Sequence, residues 1–116
     1  MDPSDFQHFG RLNDPDSCAA IKGVCGDEME FYLVFRNDCI HDVRFYTDGC
    51  EYTGICGETA AKLAAGRHID DAMGVSAAMI RKEIPGLPED HIHCSILAAM
   101  TLMKALADYL YRKSIT

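Results

Sequence analysis

At 116 residues the chain is long enough for one domain with a hydrophobic core, because a domain of this size buries roughly two thirds of the surface that its unfolded chain exposes. Its composition, 48% hydrophobic and 25% charged, excludes disorder as the default. A formal net charge of −7 with scattered basic residues argues against a nucleic-acid partner. We therefore expect one domain over residues 1–116.

The beginning of the chain and its cysteines indicate the compartment. Residues 1–5 are acidic and lack the basic and apolar regions of a signal peptide, and no stretch reads as apolar enough to cross a bilayer. We expect a cytoplasmic chain with no membrane contact. Six cysteines in such a chain are better interpreted as thiols, metal ligands or reactive groups than as a disulfide framework.

The first half of the chain predicts strands. Residues 1–24 are punctuated by glycine and proline and predict mostly irregular chain, with at most a short strand over residues 19–22. From Glu28 to Arg36 apolar and polar residues alternate, which is typical of a half-buried strand. Asn37-Asp38 has turn chemistry, and a second run from Ile40 to Thr47 completes an antiparallel hairpin.

The second half predicts helices. The first covers residues 54–65 and ends before Gly66, the second covers residues 70–84, and the last runs from Ser95 to Arg112. A hairpin followed by three helices predicts an α+β domain, with a small antiparallel sheet of about three strands and the helices packed on one face.

Three cysteines lie at the ends of these elements: Cys25, Cys50 and Cys94. Loops that each supply one ligand commonly build a metal site on a rigid frame. Asp27 lies two residues after Cys25, and His93 directly precedes Cys94. Cys94 begins the last predicted helix, whose N-terminus favours a thiolate. Thiolates with a carboxylate or imidazole suit zinc, copper(I) or an iron–sulfur unit, and spacing alone does not choose among them.

The segments around these cysteines resemble the NifU/IscU-type iron–sulfur cluster assembly scaffolds. The similar segments are Cys25-Gly26-Asp27, Phe45-Tyr-Thr-Asp-Gly49-Cys50 and Ile92-His93-Cys94-Ser95-Ile96-Leu97-Ala98. The resemblance implies a non-catalytic scaffold that builds a labile [2Fe–2S] cluster, with sulfur from a cysteine desulfurase and iron from a donor, and passes it to apo-proteins. It further implies that Cys25, Cys50 and Cys94 are cluster ligands, that Asp27 keeps the cluster labile and that His93 is an adjacent candidate ligand.

Several alternatives accompany the resemblance. Zinc could occupy the same site, as in a SufU-like zinc-binding sulfur acceptor, although the chain lacks the insertion that those proteins carry. Residues 87–91 read Leu-Pro-Glu-Asp-His where many relatives carry the chaperone-binding segment Leu-Pro-Pro-Val-Lys, which argues against a chaperone interaction. A homodimer that shares one cluster is left open.

The remaining cysteines and histidines are assigned no ligand role. We expect Cys56 to pack in the core, although its position would let it approach the site, and Cys18 and Cys39 to be bystander thiols in a loop and a hairpin turn. Four histidines lack a partner at metal-binding spacing and are expected at the surface: His8, His41, His68 and His91.

Overall fold

A three-stranded antiparallel sheet forms one layer of the molecule, in a computed structural model that describes residues 5–24 and 26–115. The strands are β1 (Ser17–Lys22), β2 (Glu28–Arg36) and β3 (Cys39–Thr47), in the spatial order β1-β2-β3. The predicted hairpin is therefore confirmed. The short strand allowed over residues 19–22 is present as β1 and begins earlier, at Ser17, so Cys18 lies in a strand rather than in a loop, and Cys39 begins β3 rather than lying in the hairpin turn.

The hairpin turn follows directly from its two residues. Asn37 and Asp38 both have positive φ angles, 54° and 62°, as a two-residue turn that matches the strand twist requires. Asparagine and aspartate tolerate this conformation better than most residues. The Asp38 carboxylate also accepts a hydrogen bond from the Tyr109 hydroxyl at 2.8 Å and pairs with Lys113, which ties the turn to the last helix.

One face of the sheet is covered by helices. Helix α4 (Ile92–Ser114) packs across β1 and β2, and helix α1 (Glu51–Ala64) packs across β3 and against α4. The alternation of β2 turns one set of its side chains into this interface, where all are buried: Met29, Phe31, Leu33 and Phe35. The predicted α+β fold with helices on one face is confirmed.

The helix boundaries differ from the prediction in one important place. The helix expected over residues 70–84 is two short helices, α2 (Ile69–Ala72) and α3 (Ala77–Lys82). Gly74 disfavours continuation of α2, and the Ser76 hydroxyl accepts a hydrogen bond from the Met79 amide at 3.2 Å, which caps a new helix. A single turn of 3-10 helix, Glu89–His91, precedes α4.

The expectation that no segment is apolar enough to span a bilayer needs correction. By length and composition alone the helical segment Glu89–Ser114 meets that criterion, with a mean hydropathy of 1.2, and it is the one such helix in the described ranges. However, 44% of the apolar window is buried inside the fold. The core helix of a globular domain meets the same criterion, and α4 has that position here.

The segment before β1 covers the outer edge of β3. The Phe45 amide donates to the His8 carbonyl, and the Gly10 amide donates to the Phe45 carbonyl, both at 2.8 Å. The rings of Phe6 and Phe9 also contact Phe45, with centroids 5.8 and 5.3 Å away. This pairing protects an exposed strand edge. It also half-buries His8, so the expectation of a surface residue is wrong at that position.

Candidate metal centre

Two cysteines and a histidine converge where the sheet meets the helices. Cys50 is the N-cap of α1, His91 ends the 3-10 turn, and Cys94 lies in the first turn of α4. The His91 Nδ1 atom is 3.9 Å from the Cys50 sulfur and 4.0 Å from the Cys94 sulfur. All three potential ligand atoms lie within 4.8 Å of one another. Thiolates select zinc and iron–sulfur units among other soft metals, and imidazole suits zinc and iron ions.

The orientation of the His91 ring suits a ligand. Its Nδ1 atom faces the two sulfurs, and its other ring nitrogen, Nε2, lies 4.0 Å from a carboxylate oxygen of Asp90. That separation is beyond hydrogen-bond distance, so Asp90 does not fix the ring. The Tyr52 ring packs against the imidazole, with ring centroids 4.5 Å apart. The imidazole is therefore held by its packing against Tyr52.

Thr53 connects the cysteines to the carboxylate of Asp27. Its side chain is fully buried, and its Oγ1 atom donates to Asp27 Oδ2 at 2.8 Å. The same oxygen is 3.5 Å from the Cys50 sulfur and 3.4 Å from the Cys94 sulfur. Gly49 completes the enclosure, because a Cβ atom there would lie 2.6 Å from Asp27 Oδ2. The Thr53 hydroxyl therefore links the Asp27 carboxylate to both sulfurs.

Two further residues were expected at the site, His93 and Cys25, and only His93 lies among the described residues. His93 lies beside Cys94, with its Nε2 atom 3.7 Å from the sulfur, and its ring is stacked 6.2 Å from that of His91. Cys25 lies outside the described residues, so its meeting with Cys50 and Cys94 stays a prediction. The structure thus brings together Asp27, Cys50, His93 and Cys94.

The exposed Cys50 and the buried Cys56 have pKa values shifted in opposite directions. Burial alone would raise the pKa of the exposed Cys50 thiol, but the Thr53 hydroxyl, when its proton is directed at the sulfur, and the backbone N–H groups of Thr53 and Tyr52 outweigh it, and the pKa is lowered. Cys56 is fully buried; burial, with the nearby Cys94 and Cys50, raises its pKa to about 12. A thiol that stays protonated at neutral pH agrees with the packing role expected for Cys56.

Sequence reasoning missed two residues of this cluster, His91 and Thr53. His91 was expected at the surface, yet it precedes Cys94 by three residues, and Thr53 follows Cys50 by three. Residues three apart share a helical face, so the spacing is compatible with these contacts but does not single them out. His41 and His68 are exposed, as expected.

The fold and the site define a small α+β domain with a thiol- and imidazole-lined candidate metal centre. Residues 3–116 match the family model described as the NifU-like N terminal domain. The chain is 33% identical over 116 residues to an iron–sulfur cluster assembly scaffold protein, IscU 1 of Archaeoglobus fulgidus, covering 94% of this chain and 75% of the relative. It is 31% identical over 114 residues to IscU of Azotobacter vinelandii, covering 94% and 88%. The chain therefore belongs to the NifU/IscU family.

Solved structures agree on the fold. The N-terminal domain of a NifU-like protein from Brucella abortus superposes with a TM-score of 0.70 at 17% identity, covering 95% of this chain and 90% of that one. A putative cluster assembly scaffold for the SUF system from Fervidobacterium islandicum also gives a TM-score of 0.70, at 22% identity, covering 90% and 93%. At these identities the comparison concerns the fold alone.

Proposed function

We propose that this chain is a non-catalytic scaffold on which a labile [2Fe–2S] cluster is assembled and from which it passes to apo-proteins. The observation that carries the proposal is the convergence of Cys50, His91 and Cys94, with all ligand atoms within 4.8 Å. Relatives at 31–33% identity are named as cluster assembly scaffolds, which supports the same role here. The cluster is cargo in this role, so it must both bind and leave.

The ligand set suits cargo that leaves. Stable iron–sulfur electron carriers use four cysteine thiolates, and a set with oxygen or nitrogen ligands departs from that pattern. We propose Cys25, Cys50 and Cys94 as the thiolates, Asp27 as the exchangeable oxygen ligand, and a histidine as a further ligand. His91 is the stronger candidate for that histidine because its Nδ1 atom faces both described sulfurs, whereas His93 contacts one.

The partners follow from the chemistry of assembly. A scaffold needs sulfide sulfur, which we assign to a cysteine desulfurase, and iron from a separate donor. We propose a cytoplasmic location, because a centre built from reduced cysteine ligands suits a reducing compartment. Residues 87–91, where relatives carry a chaperone-binding segment, form the turn that delivers His91 to the site. We therefore propose a local role for this segment rather than chaperone binding.

Anaerobic incubation with iron, cysteine and a desulfurase tests the scaffold proposal. We expect a visible cluster chromophore that transfers to an apo-ferredoxin. Cys50→Ser and Cys94→Ser should abolish stable assembly, whereas Cys18→Ser should not, because Cys18 lies on β1 and is exposed. Absence of any chromophore under these conditions would overturn the proposal.

A second candidate function is a zinc-binding sulfur acceptor that uses the same residues. Tetrahedral zinc with bonds of about 2.3 Å to sulfur and 2.0 Å to nitrogen places those ligand atoms roughly 3.5 Å apart. The sulfur–nitrogen distances of 3.9 and 4.0 Å require only a small contraction to reach this geometry. Tight one-to-one zinc binding with rapid persulfide turnover, and no cluster formation, would favour this function over the scaffold.

A further inference from the structure

Thr53 lies at the centre of three groups that are far apart in the sequence. It is the third residue of α1 and is fully buried, yet its hydroxyl contacts Asp27, Cys50 and Cys94 within 3.5 Å. A buried threonine hydroxyl in a helix can be satisfied by a carbonyl one turn earlier, as it is for Thr59 and Thr101 here. Thr53 instead turns its hydroxyl toward the proposed ligands.

The hydrogen-bond inventory of this hydroxyl is limited. A threonine hydroxyl has one proton to donate and two lone pairs that accept, and an ionised carboxylate only accepts. The proton therefore serves Asp27 Oδ2, at 2.8 Å. Toward the two sulfurs, at 3.4 and 3.5 Å, the oxygen can only accept from thiol S–H groups. The arrangement is satisfied when both cysteines carry their protons.

Metal binding changes this balance. When a sulfur forms a bond to a metal ion, its thiol proton leaves to water, and the sulfur becomes an acceptor. A lone pair of the Thr53 oxygen would then face the electron-rich sulfur, and this contact is repulsive. Rotation about the Cβ–Oγ bond removes the conflict by directing the hydroxyl proton to the sulfur, but Asp27 then loses that hydrogen bond. One proton does not serve both.

We propose that Thr53 is a positioning residue that couples loading of the cysteines to release of Asp27. In the unloaded site it fastens the carboxylate beside the sulfurs. When Cys50 and Cys94 take up metal, the hydroxyl turns to sulfur and frees Asp27 to bind and leave the cargo. The inference rests on the proposed function for the identity of the cargo and for the ligand roles of these three residues. Gly26, next to the carboxylate that must move, has a φ of +91°, a conformation that other residues rarely adopt.

A double-mutant cycle on cobalt(II) affinity tests the coupling. Cobalt(II) is the probe because its absorption bands report thiolate binding, and the four proteins are wild type, Thr53→Val, Asp27→Ala and the double variant. If loading breaks the Thr53–Asp27 bond, Asp27→Ala weakens binding about tenfold more when Thr53 is already valine than in the wild-type background, since a hydrogen bond to a charged group is worth roughly one to two orders of magnitude. Equal effects of Asp27→Ala in both backgrounds would sink the proposal.

Two controls separate positioning from a merely structural role. Thr53→Ser keeps the hydroxyl and should restore wild-type coupling, whereas Thr53→Ala should behave like valine. If Thr53→Val does not fold, as judged by circular dichroism, the alanine variant replaces it in the cycle. The assay needs neither iron nor a desulfurase. A failure of cluster assembly with an intact cobalt cycle would therefore overturn the scaffold function and leave the role of Thr53 standing.

Discussion

Replacing His8 with alanine should destabilise the protein strongly, because it removes the side-chain partner of a buried carboxylate. Glu58 lies in α1 with no exposed surface. Its Oε1 atom accepts a hydrogen bond from the His8 backbone amide at 3.0 Å, and its Oε2 atom lies 2.9 Å from His8 Nδ1. The Lys62 ammonium is 4.0 Å from Oε2, beyond hydrogen-bond distance. The imidazole is thus the direct partner of Oε2 among the described residues.

The size of the effect follows from this geometry. A hydrogen bond to a charged group contributes about 1.5–3 kcal/mol, and a buried acceptor that loses its partner carries its full desolvation cost. For a chain of this length each kcal/mol corresponds to roughly 4 °C in the melting temperature. His8→Ala should therefore lower the free energy of unfolding by about 1.5–3 kcal/mol and the melting temperature by about 6–12 °C.

Urea denaturation and calorimetry on matched variants provide the measurement. His41→Ala is the control, because His41 is an exposed histidine on the same sheet and its loss should change stability by less than about 0.5 kcal/mol. The double variant His8→Ala with Glu58→Leu should recover most of the loss, since the unpaired carboxylate is gone. If His8→Ala is as mild as His41→Ala, the reasoning about Glu58 is refuted.

Two further predictions concern the helix under the site. Gly57→Ala places a Cβ atom 2.6 Å from the buried Phe45 ring and should cost about 1–3 kcal/mol more than Gly54→Ala, whose Cβ meets the half-buried Phe6 at 2.9 Å; equal melting temperatures for the two variants would contradict this. Iodoacetamide should label Cys50 well before Cys56, whose pKa is about 12. Because the pKa of Cys50 is lowered, its labelling rate should level off at a lower pH than that of an ordinary thiol, and preferential labelling of Cys56 in peptide mass maps would be inconsistent with the structure.

The local features of the fold could be predicted from the sequence because they depend on neighbouring residues. Alternation over Glu28–Arg36 and the Asn37-Asp38 pair specify a strand and its turn within one short window, and the structure agrees with both. The predicted helix over residues 70–84 failed for a local reason too. The apolar spacing there is helical, but Gly74 and the capping Ser76 interrupt the backbone, and periodicity of side chains does not register such a break.

The resemblance of the cysteine segments already indicated the candidate ligands Cys25, Asp27, Cys50, His93 and Cys94, of which Cys25 lies outside the described residues. Thr53 and His91 joined the site only through tertiary structure. Each lies three residues from a cysteine, yet that spacing occurs throughout any helix and has no chemical meaning by itself. Packing of α1 and α4 on the sheet brings the Asp27 carboxylate and the Cys94 sulfur within 3.4 Å of the Thr53 hydroxyl oxygen. The sequence alone thus determined which chemical groups the chain carries. Long-range packing decided which of them lie within contact distance of the Thr53 hydroxyl, because Asp27 and Cys94 are distant from Thr53 in the chain.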